Sequence, residues 1–275
     1  MASGMQKLDR GLDKDGFIQN RYSAKNIAPE FQEVVTVVID SLLKELPDQI
    51  DGIYLYGSVP RGTAIIGSSD LDVSIVLTTP IGQKEKGVFK LLSDTIPKAY
   101  PQVSKLDIDP GFLRDVLQPT EKYHWHFWIK HCCCCVWGND LSNEFSLYKP
   151  SIEIAQALNG DLSTFLEQMS PSFQTMAGGD VAKVIGKKLV RAAYYFVAEQ
   201  DGSWYTNLSQ CAEAANRYYS NQSDDIELAY QYALGNLISK TEAFELYERL
   251  SKELIREQVN RLVNDELRRY HRSRS

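Results

Sequence analysis

The spacing of apolar residues divides the chain into two parts of different character. In residues 29–46 apolar side chains recur every three or four positions, which predicts an amphipathic helix. Short apolar runs at 51–56 and 70–78 predict two strands, and a predicted helix over 84–98 leads to a third strand over 102–109. Residues 123–137 are rich in aromatic residues and cysteine, and we interpret them as one or two further strands.

From about residue 150 onwards the pattern is helical. Five segments have helical periodicity, namely 151–169, 180–199, 207–219, 225–238 and 240–269. Asp180 and Asp225 occupy predicted N-cap positions, and Ser239 with Glu242 fits a capping box. The sequence therefore predicts an α+β protein with an N-terminal extension (1–28), a mixed β-sheet flanked by helices (29–148) and a C-terminal helical bundle (149–275).

Composition narrows the class of protein. The 275 residues are 43% apolar and 24% charged, as in ordinary globular proteins, and no apolar run is long enough to span a membrane. The net charge of −6 argues against broad nonspecific binding of nucleic acid, although the chain ends on four arginines (RRYHRSRS) that are able to contact RNA. Five cysteines, four of them consecutive, favour reduced thiols and a cytoplasmic location.

The first half contains a turn suited to phosphate binding, in the segment LYGSVPRGTAIIGSSDLDVSIVL (55–77). Gly57 and Ser58 follow the first predicted strand, and glycine lets the backbone approach a ligand closely. The Ser58 hydroxyl, the following amides and the positive end of a short helix opening there would donate to phosphate oxygens. Arg61 in the same loop and Lys187 in the helical half are further candidates for binding the triphosphate.

Two carboxylates stand at the head of the second predicted strand. Because side chains two positions apart share one face of a strand, Asp70 and Asp72 project together. Their mutual repulsion of about 1 kcal/mol calls for a nearby positive charge, and a hard divalent cation such as Mg²⁺, or Mn²⁺ in its place, prefers such ligands. The third predicted strand offers a third carboxylate in Asp107 or Asp109, and we prefer Asp107 because it lies deeper in that strand.

The segment HWHFWIKHCCCCVW (124–137) contains three histidines and four cysteines, which are potential zinc ligands. Consecutive cysteines alternate between the two faces of a strand, and no pair of separated CxxC motifs is present. We therefore interpret this segment as a buried strand in which cysteine acts as a small apolar residue.

The Gly57-Ser58 pair, the aspartates that begin twelve residues after Ser58 and an acid on a neighbouring strand resemble the nucleotidyltransferase superfamily of DNA polymerase beta. The helical second half resembles that of bacterial aminoglycoside-type adenylyltransferases and of minimal nucleotidyltransferases. The resemblance implies transfer of AMP from Mg-ATP, or of another nucleotide from its NTP, to an acceptor hydroxyl with release of pyrophosphate. It further implies that Gly57 and Ser58 bind the triphosphate. Asp70, Asp72 and Asp107 would bind two metal ions, and Asp107 would also help to deprotonate the acceptor.

The acceptor stays open at this point. An aminoglycoside-like small molecule would make the protein an antibiotic-resistance enzyme, whereas tRNA or a protein acceptor would make it a toxin. A catalytically inactive nucleotide-binding or antitoxin-like module is the alternative of another class. It is disfavoured because all the expected acids are present.

Overall fold

A computed structural model describes residues 9–272, with side chains for residues 9–260. The described chain divides into two compact units, one formed by residues 17–148 and the other by residues 9–16 together with 149–272. The predicted extension 1–28 is therefore shared between the two units. The predicted RNA-contacting side chains of the basic stretch 268–275 lie outside the described residues.

The first unit contains a mixed four-stranded sheet and helices. The first two predicted helices and the first two predicted strands are confirmed to within one residue at each end. The elements are α1 (Pro29–Glu45), β1 (Ile50–Tyr56), β2 (Leu71–Leu77), α2 (Gln83–Ala99), β3 (Leu106–Phe112), α3 (Leu113–Val116), α4 (Phe127–Cys132) and β4 (Cys134–Gly138).

The strands lie in the order β3-β2-β1-β4, with β2 parallel to β3 and β1 antiparallel to both of its neighbours. Side chains alternate between the two faces of the sheet. One face forms a core with α1 and α2, in which Val38, Leu55 and Val73 are almost completely buried. The aspartates of β2 and β3 occupy the alternate positions and so belong to the opposite face.

Two predictions for this unit were wrong. The third strand begins at Leu106 and not at residue 102, because the preceding residues form turns. In one of these turns the Val103 N–H donates to the carbonyl oxygen of Tyr100 at 3.1 Å. It then continues through Pro110, which an edge strand tolerates.

The prediction of one or two strands over 123–137 is confirmed for one strand, Cys134–Gly138, and is wrong for the rest, because residues 122–132 form a π-helical turn (Lys122–His126) and α4. The nearly continuous run of apolar and aromatic residues in this segment concealed the helical period. In α4 the buried side chains of Phe127 and His131, four positions apart, lie on one side of the helix.

The second unit is helical, with α7 packed against α5, α8, α9 and α10. The helix predicted over 151–169 is interrupted after Asn159. Asp180 and Asp225 lie in the first turns of their helices, whose N-caps are Ala177 and Gln222. The capping residue Ser239 is confirmed, since it accepts the amide of Glu242 at 3.3 Å. The helices are α5 (Ile152–Asn159), α6 (Phe165–Thr175), α7 (Gly178–Asp201), α8 (Leu208–Tyr218), α9 (Ser223–Leu234) and α10 (Lys240–Arg272).

Within residues 9–272, none of these helices combines the length and the apolar character that a membrane crossing requires.

Candidate active site

The turn at the end of β1 and the second aspartate of β2 fit closely together. Gly57 has a φ of +78°, and a Cβ atom built on it would lie only 1.9 Å from Oδ2 of Asp72. The antiparallel register places Tyr56, the residue before this glycine, directly opposite Asp72. Only glycine supplies both the left-handed backbone and the space for this carboxylate.

The loop after Ser58 consists of turns, so the short helix expected there is absent from the described structure. Arg61 Nε donates to the carbonyl oxygen of Gly57 at 2.9 Å, and the Arg61 guanidinium lies over the ring of Tyr22. The amide of Thr63 donates to the Ser58 carbonyl at 3.1 Å. Arg61 thus stabilises the turn through its hydrogen bond to Gly57. Its contact with phosphate stays a prediction.

Strand register brings acids of β2 and β3 together. Asp72 is the register partner of Asp107, and Ser74 is the partner of Asp109. Because β3 begins at Leu106, Asp107 lies at its start and Asp109 nearer its middle, so the depth argument for Asp107 was wrong. The register supplies a different reason to prefer Asp107, namely its position beside Asp72.

Each of three carboxylates has a compensating partner. The Ser104 hydroxyl donates to Oδ1 of Asp70 at 2.6 Å. Lys105 Nζ lies 2.5 Å from Oδ1 of Asp107. The phenol of Tyr56 donates to Oδ2 of Asp109. Ser104, Lys105 and Tyr56 were missed from the sequence, although the first two directly precede β3 and the third directly precedes Gly57.

The aspartates of β2 and β3 are the candidate ligands for a divalent cation. Among the residues whose side chains are described, no three His, Cys, Asp or Glu side chains converge closely enough to hold a metal ion. The donor chemistry nevertheless fits a hard divalent cation, since two carboxylates are register neighbours and the positive charge beside them comes from an exposed lysine. Lys105 is 62% exposed, so its ammonium group is free to move into solvent when a cation replaces it.

Asp109 differs from its neighbours in its surroundings. Although the residue keeps some accessible surface, desolvation of its carboxyl group raises its pKa. The hydrogen bond from Tyr56 acts in the opposite direction, and the negative charge of Asp107 raises the pKa further. Desolvation, followed by the charge of Asp109, likewise raises the pKa of the Tyr56 phenol. At neutral pH the phenol therefore keeps its proton and donates it in this bond.

The cysteine run is divided between α4 and β4. Cys132 and Cys133 are buried, and Cys134 and Cys135 are half-buried in β4, so the interpretation as one buried strand was wrong for the first two residues. Burial raises the pKa of Cys134 and Cys135 to about 11 and that of Cys133 well above its usual value. These thiols stay protonated at neutral pH, and the thiolate is the form that binds metals.

The candidate lysine of the helical half lies on α7, where Lys187 is exposed. Its neighbour Lys188 has a structural task, because its Nζ atom lies 2.5 Å from Asp161 and over the ring of Phe165. Lys187 is therefore the one of the two that is open to solvent. A contact between Lys187 and a triphosphate stays a prediction.

Comparisons with known proteins agree with the fold. Residues 38–130 match the family described as nucleotidyltransferase domain. Spectinomycin adenyltransferase from Enterococcus faecialis, solved with ATP and spectinomycin, superposes with a TM-score of 0.53 at 14% identity, over 81% of this chain and 98% of that one. A mutant of the MntA-HpeT toxin-antitoxin pair gives a TM-score of 0.28 at 15% identity, over 50% of this chain and 94% of that one. No curated protein matches the chain significantly.

Proposed function

Because the chain belongs to the nucleotidyltransferase superfamily, we propose that it transfers AMP from ATP to a hydroxyl group of a small acceptor and releases pyrophosphate. The observation that carries the proposal is the junction of Gly57, Asp72 and Asp107 across three neighbouring chain segments. It supports the proposal because a glycine turn, which suits phosphate binding, lies beside two carboxylates.

The donor side is assigned to the turn and the acids. Ser58 Oγ makes no hydrogen bond among the described residues, so it is available to a phosphate oxygen. Asp70, Asp72 and Asp107 would hold the divalent cation, Mg²⁺ or Mn²⁺. When bound, such ions neutralise the triphosphate and polarise the attacked phosphorus.

The other residues position these groups. Arg61 keeps the Gly57 carbonyl in place through its 2.9 Å bond, and its guanidinium group is assigned to the phosphate oxygens. Lys187 is assigned to the triphosphate as a point charge. Catalysis would then consist mainly of orientation and charge neutralisation.

The choice of ATP and of a small acceptor is supported by the spectinomycin adenyltransferase structure, which was solved with ATP and spectinomycin. Because of this likeness in fold, an aminocyclitol or an aminoglycoside is the first class of acceptor to test. Such an activity would make this protein an antibiotic-modifying enzyme.

The test is mass spectrometry of acceptors after incubation with the protein, Mg²⁺ and each of the four common NTPs. Spectinomycin, a panel of aminoglycosides, total tRNA and casein serve as acceptors. We expect a mass gain of one AMP unit on a small acceptor, with ATP as the preferred donor. A gain on tRNA or casein alone would overturn the small acceptor, and no gain together with no pyrophosphate release would overturn the transfer.

Two controls make the result specific. EDTA should abolish the mass gain, because the carboxylates need a divalent cation to hold the triphosphate. The variant Asp40→Asn, which removes an exposed carboxylate of α1, should retain it. Asp40→Asn changes the net charge by the same amount as a substitution of Asp72 does.

A further inference from the structure

The acid-bearing face of the sheet is covered by the π-helical turn Lys122–His126 and by α4. A Cβ atom built on Gly111 of β3 would lie 2.8 Å from the ring of Trp125, so this indole lies directly on the strand. Trp128 Nε1 donates to Ser74 Oγ at 3.1 Å. Gly111 and Ser74 alternate with the core-facing residues and share the face of the aspartates. The turn is therefore fixed beside the candidate site.

The three histidines of this segment have different surroundings. His126 Nε2 is 2.9 Å from the carbonyl oxygen of Val116, and buried His131 accepts a backbone amide. His124 is 54% exposed, and its Nδ1 lies 2.9 Å from Oε2 of Glu121. Its Nε2 makes no hydrogen bond among the described residues. His124 is thus the histidine whose second nitrogen is available to a substrate.

The Glu121 contact determines the tautomer of that ring. An ionised carboxylate only accepts hydrogen bonds, so Nδ1 of His124 must carry the proton. In the neutral ring this leaves the lone pair on Nε2, which then acts as a proton acceptor. A base oriented by a carboxylate in this way is a recurring arrangement in enzymes. A π-helical turn is itself rare and is found frequently at functional sites.

The turn that carries His124 lies on β3, close to Asp109. The His124 ring packs edge-on to Trp125 with centroids 5.8 Å apart, and Trp125 lies on Gly111, two residues after Asp109 in β3. The charged groups around it include Glu121, directly before the turn, Lys122 on the turn, and Asp109 of β3. The Lys122 ammonium lies over the ring of Tyr123.

We propose that His124 is the catalytic residue that accepts the proton of the attacking hydroxyl, and that Glu121 is the positioning residue that holds its ring. This inference rests on the transfer proposed above. The acceptor oxygen forms a bond to the α-phosphorus, the bond between that phosphorus and the pyrophosphate oxygen breaks, and the hydroxyl proton moves to Nε2 of His124. Pyrophosphate leaves with the electron pair of the broken bond.

The first test measures pyrophosphate release from Mg-ATP, with spectinomycin and with water as acceptors. We expect His124→Gln to lower kcat by about 100-fold, in the range usual for general bases, with an unchanged KM for ATP. The fall of kcat towards acid pH in the wild-type protein should be absent in this variant. Glu121→Gln should lower kcat less, and Lys122→Gln, which removes an exposed charge from the same turn, should leave kcat unchanged.

The second test needs no activity. Nitrogen-15 NMR of the histidine rings, assigned by comparison with His124→Gln, should show His124 as the Nδ1–H tautomer, and Glu121→Gln should reduce that preference. A dominant Nε2–H tautomer, or wild-type kcat in His124→Gln, would overturn the role of His124 alone. No pyrophosphate release by the wild-type protein would overturn the proposed transfer and this role with it.

Discussion

Two clusters built around aspartate show how differently the two units use the same side chain. In the helical unit the carboxyl group of Asp201 is only 2% exposed. It accepts hydrogen bonds from Ser203 at 2.6 Å and from Arg217 at 2.7 Å. In the sheet unit Asp107 is 35% exposed and is paired with the side chain of Lys105, which is 62% exposed.

The two clusters also differ in what their partners do. Ser203 is bonded in turn by Tyr194, and Arg10 of the N-terminal segment donates to the Asp201 carbonyl at 2.8 Å, so this cluster joins distant parts of its unit. Among the partners of the sheet aspartates, Ser104 and Lys105 are exposed and exchangeable, whereas Tyr56 is half-buried. The difference teaches that a buried carboxylate with satisfied hydrogen bonds stabilises a fold, whereas adjacent carboxylates with replaceable partners are available to a ligand.

The largest expected effect is on activity at the sheet cluster. Asp72→Asn keeps the shape of the side chain but removes its charge, and we expect transfer to fall at least about 10³-fold, which corresponds to about 4 kcal/mol of transition-state stabilisation. Pyrophosphate release and a thermal melt measure activity and folding on the same sample. Activity within tenfold of the wild-type value would remove Asp72 from the site.

Substitution in the cluster around Asp201 should change the stability of the protein. We expect Asp201→Asn to lower the free energy of unfolding by about 2 kcal/mol, because Arg217 and Ser203 lose a buried charged acceptor. Urea titration measures the change. Asp225→Asn is the matched control, since Asp225 is 24% exposed against 2% for Asp201, and exposed pairs contribute less than about 1 kcal/mol. Equal losses in the two variants would contradict the distinction between the clusters.

The turn that supports the sheet cluster should be sensitive to a single methyl group. Gly57→Ala places a side chain at a φ of +78°, which costs about 1–2 kcal/mol, and drives it into the Asp72 carboxylate. We expect lower stability together with lost activity. Gly87→Ala on α2, where nothing lies within 4 Å of the added atom, should be neutral or stabilising. A fully active Gly57→Ala variant would argue against the turn as part of the site.

A smaller effect is expected from the lysine beside Asp107. Lys105→Met removes the competing ammonium group, and we expect Mn²⁺ to bind a few-fold more tightly, since an exposed pair contributes less than about 1 kcal/mol. Calorimetric titration with Mn²⁺ in the absence of nucleotide measures this affinity. Lys90→Met, which breaks an exposed pair with Asp94 on α2, should leave it unchanged. Weaker Mn²⁺ binding by Lys105→Met would show that Lys105 does not compete with the cation.

The smallest expected effect is the pH dependence of the helical cluster. Burial alone would raise the pKa of Asp201, but the bonds from Ser203 and Arg217 lower it below its usual value of 3.8. Its stabilising contribution is therefore present above pH 3.8 and is lost as the pH falls through the lower folded-state pKa. The stability difference between the wild-type protein and Asp201→Asn should shrink over this acidic range. A constant difference would contradict the lowered pKa.

Much of the fold was accessible from the sequence where local periodicity is clear. The helix α1 and the strands β1 and β2 were predicted to within one residue, because each has a single apolar face or a short apolar run. The start of β3 and the helical character of residues 122–132 were not. Local turns delay the start of β3, and in residues 122–132 a nearly continuous run of apolar and aromatic residues hides the helical period.

The sequence by itself determined the donor half of the candidate site, because Gly57, Ser58, Asp70 and Asp72 belong to one strand-turn-strand segment. Only the tertiary structure placed Asp107 beside Asp72 and the turn that carries His124 on β3. Strand register and the docking of a helical turn depend on pairing between residues that are distant in the chain. No short stretch of sequence contains that information.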